Sequence, residues 1–318
     1  MDFQNIRENS IYTIVDGPTW EEAETNSNKL GGHLVTINDA DENKWLVDTY
    51  SNYFENDLYI NRAWIGLHQN HMNSLYEYGS YESDWQWSSG ELNDYRSNQA
   101  LTFEGGPILM YMPLVDQIQT QILLEEHSFE LYDFDNDVLE KVHNNYPGDW
   151  IYYSYPDPYP NIYDGQINGI TEIPFIQRGN SAYVIVDGPT WEEAESNSNK
   201  LGGNLVTIEN QDELTWLKNN LPLLERIKGE PDHYYWGGLT DKDIEGQWEW
   251  SSGIKSDFRA WKEGEPNNWD AYNQLNMDED YMTFNAGSEG WAAQSNEDGP
   301  LTSDEWHQWR GVAEIPIS

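Results

Sequence analysis

Val15–Ile37 reads VDGPTWEEAETNSNKLGGHLVTI, and Val186–Ile208 reads VDGPTWEEAESNSNKLGGNLVTI. Only Thr25/Ser196 and His33/Asn204 distinguish the two stretches, so one segment is written twice in a single chain. The register carries on through Glu42/Glu213 and Trp45/Trp216, then through Trp64-Ile-Gly-Leu and Trp236-Gly-Gly-Leu. It continues in Trp85-Gln-Trp-Ser-Ser-Gly against Trp248-Glu-Trp-Ser-Ser-Gly, and closes in Thr171-Glu-Ile-Pro against Ala313-Glu-Ile-Pro. Self-similarity of this extent marks two copies of one folding unit. The first copy is expected over residues 1–176 and the second over 177–318, joined through Pro174–Gly179.

Each copy opens with a short strand, Ile11–Val15 or Tyr183–Val186, and a turn at Asp-Gly-Pro. Thr19 and Thr190 stand three residues before Glu22 and Glu193, the spacing of a capping box, so a helix starts there. Trp20, Ala23 and Leu30 share one face of that helix, and Gly31 ends it. A strand at Leu34–Ile37 leads to a second helix capped by Asp39 with Glu42, or by Asn210 with Glu213. The rest consists of short Trp-rich strands and long polar loops. The expected class is α+β, each copy having two helices, short antiparallel sheets and a long loop region. Glu21, Glu22 and Glu24 crowd the first helical turns, where they complement the helix dipole and call for no catalytic role.

The chain has 318 residues, enough for two ordinary cores, and its 16 Trp and 21 Tyr supply large apolar surfaces to fill them. Against 16 basic residues stand 57 acidic ones, a net charge of −41. Such a surface repels polyphosphates and anionic lipid, so neither nucleic acid nor membrane insertion is expected. There is no cysteine, hence no disulfide and no thiolate metal site. The first residues carry no apolar signal-peptide core, and no apolar run reaches membrane length. Neither a Ser/His/Asp set nor a Gly-rich phosphate loop is found, and no enzyme activity is expected.

The order of motifs resembles the C-type lectin-like domain. It runs Trp-Glu-Glu-Ala-Glu, Gly-Gly-x-Leu-Val-Thr-Ile, a Glu before an aromatic-Leu pair, Trp-x-Gly-Leu, and Trp-x-Trp-Ser-Ser-Gly. The second copy adds Trp261, Gly264-Glu-Pro-Asn267, Glu279-Asp280-Tyr281 and Gly311-Val-Ala-Glu-Ile. The likeness covers nearly all of the second copy, and the first half and last strand of the first. Asp280-Tyr281 stands where the animal family has Asp-Cys, and the absent cysteines point to a bacterial or phage type.

Hard cations take six to eight oxygen ligands, and the acidic, Asn-rich loop Glu265–Asp280 can supply them. The resemblance implies two calcium positions in the second copy. At one, Glu265 and Asn267 would contact the ion and the hydroxyls of a mannose-type sugar together, with Glu279 completing that side and Trp269 placed to stack on the ring. The remaining family ligands follow a tryptophan that the repeat places at Trp291. Here those residues are Ala292 and Ala293, which offer no side-chain oxygen. At the other, auxiliary position, the resemblance implies Asp241, Glu245, Asn268, Glu279 and Asp280 as ligands.

The first copy departs from this pattern. His68-Gln-Asn-His71 follows Trp64-Ile-Gly-Leu with no acidic pair, and a long insertion near residues 93–148 replaces Glu-Pro-Asn. Within it, Asp116–His127 is expected to be helical. His68 and His71 have a spacing that metal ligands use, but no third partner is visible.

The expected function is non-enzymatic recognition: calcium-dependent carbohydrate binding of mannose type through the second copy. The alternative is a calcium-stabilised protein-binding adhesin or phage receptor-binding component without a sugar site. Expected partners are a cell-surface or extracellular glycan, or a protein receptor, and the expected location is extracellular or on a virion surface.

Overall fold

The computed structural model describes residues 5–51, 62–70, 85–93, 95, 117–123, 127–133, 138–145, 150–154, 168–228, 234–267, 279–285, 291–294 and 309–317. The chain divides into two compact units, one of Met1–Ile11, Asn28–Gly31 and Ile173–Ser318 and the other of Tyr12–Ser27 and Gly32–Glu172, and the elements are described below copy by copy.

In the first copy the order is β1 (Asn5–Arg7), β2 (Ser10–Asp16), α1 (Trp20–Lys29), β3 (His33–Leu34), α2 (Ala40–Tyr50), β4 (Arg62–Asn70) and β5 (Trp85–Trp87). It continues with β6 (Gln117–Leu123), β7 (His127–Asp133), β8 (Val138–Asn145), β9 (Trp150–Ser154) and β10 (Asn168–Pro174). The second copy runs β11 (Ile176–Arg178), β12 (Ser181–Asp187), α3 (Trp191–Lys200), β13 (Asn204–Leu205), α4 (Gln211–Lys228) and β14 (Tyr234–Thr240). After these come β15 (Glu249–Trp250), β16 (Tyr281–Asn285), β17 (Trp291–Gln294) and β18 (Arg310–Pro316).

The two sheets have the same path, β1-β2-β10-β4-β6-β9 and β11-β12-β18-β14-β16-β17. They are mixed, which corrects the antiparallel expectation. β4 runs parallel to β10, and β14 parallel to β18. The long stretches of chain between these strands allow a crossover, so no hairpin constrains the pairing to be antiparallel.

Matching paths also resolve the insertion. β6 pairs with β4 as β16 pairs with β14, with Trp64 opposite Gln121 and Trp236 opposite Thr283. β9 likewise opens at Trp150 opposite Ile122, as β17 opens at Trp291 opposite Phe284. Gln117–Leu123 is therefore a shared strand of the fold and not a helix. Its alternating Gln-Ile-Gln-Thr-Gln-Ile order has the period of a strand. Among the described residues, the antiparallel pair β7–β8, between β6 and β9 in the sequence, has no counterpart in the second copy. The apolar run Ile108–Val115 lies outside the described residues.

The repeated tryptophans lock helix to sheet by identical bonds. Trp20 Nε1 donates to the Ile65 carbonyl and Trp191 Nε1 to the Gly237 carbonyl, both at 2.8 Å. In return Trp64 donates to Gly17 at 3.1 Å and Trp236 to Gly188 at 3.0 Å, closing the Asp-Gly-Pro turn onto the sheet. The glycine before Leu67 or Leu239 is required by space. A Cβ on Gly66 or Gly238 would lie 2.5 Å from the backbone oxygen of Leu34 or Leu205.

Asp39 caps α2, accepting from the Glu42 N–H, and Thr190 caps α3, accepting from the Glu193 N–H. The second-helix glutamates do more than cap. Glu42 and Glu213 are buried, and each receives a tyrosine hydroxyl: Tyr12 at 2.8 Å and Tyr183 at 2.9 Å. The same hydroxyls also face Glu172 at 3.1 Å and Glu314 at 3.3 Å. Burial, reinforced by the paired carboxylates, holds both tyrosines well above the ordinary phenol range, so they remain donors. In the second copy the Arg178 guanidinium lies 3.3 Å from Glu213. Around these groups sits the core, Val206, Ile208, Leu217, Leu239, Met282, Phe284, Trp250 and Trp291 in the second copy. Val35, Ile37, Leu46, Ile65, Leu67 and Trp87 form the first.

Candidate functional site

β14 ends at Thr240 and delivers Asp241 to the mouth of a short loop. The loop wraps around this one carboxylate. Ile244 N–H donates to the Asp241 carbonyl at 3.0 Å, and Gly246 N–H donates to Asp241 Oδ2 at 2.8 Å. Gly246 has φ +77°, a conformation that suits glycine and turns the chain back toward the sheet. β16 approaches from the other side, where the Asp241 N–H donates to the Asp280 carbonyl at 3.1 Å.

Asp241, Glu245 and Asp280 thereby each offer a carboxylate oxygen, all within 4.8 Å of one another. Asp241 is 4% exposed, Asp280 half-buried and Glu245 exposed. Among the described residues this is the one acidic or histidine cluster with metal-holding geometry. Three hard oxygens gathered from two backbone segments supply part of the oxygen shell that a calcium ion takes. The surroundings are braced by aromatic and charged contacts. Tyr281 donates to Glu192 on α3 at 2.6 Å, its ring 5.0 Å from that of Trp191, and Lys242 Nζ sits 4.9 Å above the Trp191 ring. Burial first, and then the bond to Glu192, raises the Tyr281 hydroxyl above its ordinary range.

The second cluster lies on the turn after Trp261. Lys262 N–H donates to the Trp291 carbonyl at 3.0 Å and Trp291 N–H to the Ala260 carbonyl at 2.8 Å, so the turn is clipped to β17. Glu265 N–H closes it onto the Lys262 carbonyl at 3.1 Å, through Gly264 at φ +95°. The Glu265–Pro266 peptide is cis. Asn267 Nδ2 donates to Glu265 Oε1 at 2.9 Å, and Lys262 Nζ lies 3.8 Å from the same oxygen.

The structure thus gathers Asp241, Glu245 and Asp280 at one position, and Glu265 with Asn267 at another. Glu279 is half-buried next to Asp280 on the approach to β16. Asn268 and Trp269 lie outside the described residues. Sequence reasoning does not find Lys262, because a lysine three residues before a glutamate reads as ordinary surface charge. Only the Gly264 turn brings the two together. Ala292 follows Trp291 on β17, buried, and its carbonyl accepts from Thr283 Oγ1 at 3.3 Å.

In the first copy, Leu67 pairs with Trp87 as Leu239 pairs with Trp250, which puts Gln69 where the second copy has Asp241. His68 packs its ring 4.7 Å from that of Trp20, with Nδ1 3.2 Å from the Gly66 carbonyl, and is a packing residue. His71 lies outside the described residues.

Paired helices, a looped sheet and oxygen-rich turns beside Trp-x-Trp-Ser-Ser-Gly define a recognition domain of the lectin type. A family model described as Lectin C-type domain matches residues 16–103 and again 187–298. The chain belongs to the C-type lectin domain family, with two copies in tandem. Hepatic lectin of Gallus gallus is 33% identical over 92 residues, covering 28% of this chain and 40% of that protein. The galactose-specific lectin nattectin of Thalassophryne nattereri is 36% identical over 76 residues, 24% of this chain and 45% of its own. The chain thus spans less than half the length of these relatives. Among solved structures, the C-type lectin CEL-I from Cucumaria echinata aligns with 45% of this chain and 96% of its own, at 22% identity and a TM-score of 0.36. These relatives come from animals, so the bacterial or phage type expected from the missing cysteines finds no support, and neither does a virion-surface location. Among the described residues, no helix is long and apolar enough to cross a membrane.

Proposed function

We propose that this chain is a non-enzymatic, extracellular glycan-recognition protein whose second copy, residues 177–318, binds a mannose-type sugar at Glu265 and Asn267. The observation that carries this reading is the hydrogen bond from Asn267 Nδ2 to Glu265 Oε1 at 2.9 Å, on an exposed turn fixed to β17. It sets a carboxylate acceptor and an amide donor side by side, the pair of groups that adjacent sugar hydroxyls need. Nattectin's name states a galactose specificity. The acceptor-then-donor order of Glu265 and Asn267 favours the mannose type for this chain.

Calcium enters the proposal at Asp241, Glu245 and Asp280, where it would tie the loop after β14 to the start of β16. Bound there, the ion supplies two positive charges to an intensely acidic surface and holds the loops in one arrangement. Residues 1–176 would act as a scaffold without a metal-borne sugar site, because Gln69 replaces the first acidic ligand. The test is a glycan array probed with the full chain in calcium and in chelator. Retention of mannose-terminated glycans, weakened by chelator, supports the reading.

A second reading has its own observation. Ala292 and Ala293 replace two oxygen-bearing positions, as suits a domain whose loops contact a protein receptor. An array without any retained glycan would favour it.

A further inference from the structure

Calcium and sugar share a position in the family pattern, and the donor set at Glu265 does not match it. Two of the five side chains that the pattern assigns to that ion fall on Ala292 and Ala293. Ala292 is 8% exposed and follows directly on Trp291, whose backbone clasps the turn on both sides. A methyl group thus lies next to the clasp where the pattern has an oxygen, and a hard cation there loses two of the five side-chain ligands the pattern gives it. A cation is present all the same. The Lys262 ammonium stands 3.8 Å from Glu265 Oε1, with the Lys262 side chain 52% exposed and that of Glu265 9%.

We infer that the Glu265 position holds no calcium, and that the Lys262 ammonium takes the place of the ion in a metal-free site for a vicinal diol. This rests on the sugar-binding reading above and refines it. The ammonium carries three donors and can serve hydroxyl oxygens directly, as a metal would by coordination. Glu265 accepts the hydroxyl protons, and Asn267 supplies a neutral donor and acceptor beside it. The turn is rigid before any ligand arrives, since Lys262 N–H, Glu265 N–H and Trp291 N–H are all hydrogen-bonded within it. Calcium then acts on sugar binding only from a distance, through Asp241, Glu245 and Asp280.

Two measurements on the full chain test this. In calcium titration calorimetry, Glu265→Gln and Asn267→Ala should reproduce the wild-type isotherm, whereas Asp241→Asn with Asp280→Asn should lose binding. Loss of a calcium equivalent in Glu265→Gln or Asn267→Ala, with the fold intact by circular dichroism, would overturn the inference and leave the sugar reading standing. On a mannose resin in saturating calcium, Lys262→Met should weaken retention about tenfold or more, the effect of losing a charge-assisted bond, and Lys262→Arg should restore most of it. Retention unchanged in Lys262→Met would also overturn the inference. A wild-type chain that retains no sugar at all would remove the glycan reading and the diol site with it, and the calcium titration would still decide whether an ion occupies the Glu265 position.

Discussion

Asp241 and Asp280 are joined backbone to backbone, the N–H of one donating to the carbonyl of the other at 3.1 Å, and their carboxylates converge with Glu245. Like charges held this close repel, and a divalent ion relieves the repulsion in the folded state alone. Calcium should therefore stabilise the second copy. With an affinity of about 10⁻⁴–10⁻³ M, typical of extracellular modules, about 10 mM calcium adds roughly 1.4–2.7 kcal/mol. Scanning calorimetry of the full chain should show an upward shift of one transition, abolished in Asp241→Asn with Asp280→Asn. Equal shifts in wild type and variant would place the ion elsewhere.

His33 is one of two differences between the repeated segments, and it changes the chemistry of a half-buried glutamate. His33 Nδ1 lies 2.8 Å from Glu24 Oε1, and the Leu34 N–H donates to Glu24 Oε2 at 2.8 Å. Although burial alone would raise the Glu24 carboxyl, the bonds from His33 and Leu34 leave it below the usual range. Its counterpart Glu195 has Asn204 in place of the histidine, and burial raises it. A depressed carboxylate stabilises the fold above its unfolded pKa and loses that contribution as pH falls through the folded value. His33→Asn should thus cost about 1 kcal/mol at neutral pH and almost nothing near pH ~3. Urea unfolding at the two pH values checks this; an equal loss at both would exclude the electrostatic origin.

Tyr183 shares its hydroxyl between Glu213 and Glu314, and removing it takes a donor from one buried and one half-buried carboxylate. Tyr183→Phe should cost about 1–3 kcal/mol at neutral pH. The Glu314 carboxyl is already raised, first by burial. A raised carboxyl stabilises the fold below its unfolded pKa and loses that contribution as pH rises through the folded value. Without the tyrosine its pKa climbs further, so the deficit of the variant should shrink toward pH ~4. Urea unfolding across this range measures it, and a deficit that grows on acidification would contradict this account of the triad.

The local signals are legible in the sequence because they rest on near neighbours. Asp39 and Thr190 cap their helices as their spacing with Glu42 and Glu193 indicates. The auxiliary cluster is legible as well, since Asp241 and Glu245 stand on one loop and Asp280 directly precedes the strand paired with β14. What escapes depends on distant registry. The parallel pairing of β14 with β18 joins Trp236 to Gly311 across most of the second copy, and no local pattern encodes it. β6 carries strand alternation openly, yet a helix is expected there because no Glu-Pro-Asn marker precedes it to fix the register. Lys262 beside Glu265 arises from a turn at Gly264, a tertiary consequence that composition does not display.

The order of groups at the sugar position makes the last expectation specific. Glu265 presents an acceptor and Asn267 a donor to neighbouring hydroxyls, and exchanging them reverses the polarity of the pair. Glu265→Gln with Asn267→Asp should transfer retention from a mannose resin to a galactose resin, because the equatorial and axial arrangements of adjacent hydroxyls present opposite partners to a fixed donor–acceptor pair. A well-made hydrogen bond to a sugar hydroxyl contributes about 1–1.5 kcal/mol, so each mismatch should discriminate between the resins about tenfold. Either single substitution should weaken both resins, since it sets two like groups side by side. Asn267 is exposed and backbone hydrogen bonds close the turn, whereas the Glu265 side chain is 9% exposed, so the melting temperature of each variant is compared with wild type before the resins are read. Binding to mannose that survives the double exchange would show that these two side chains do not select the sugar.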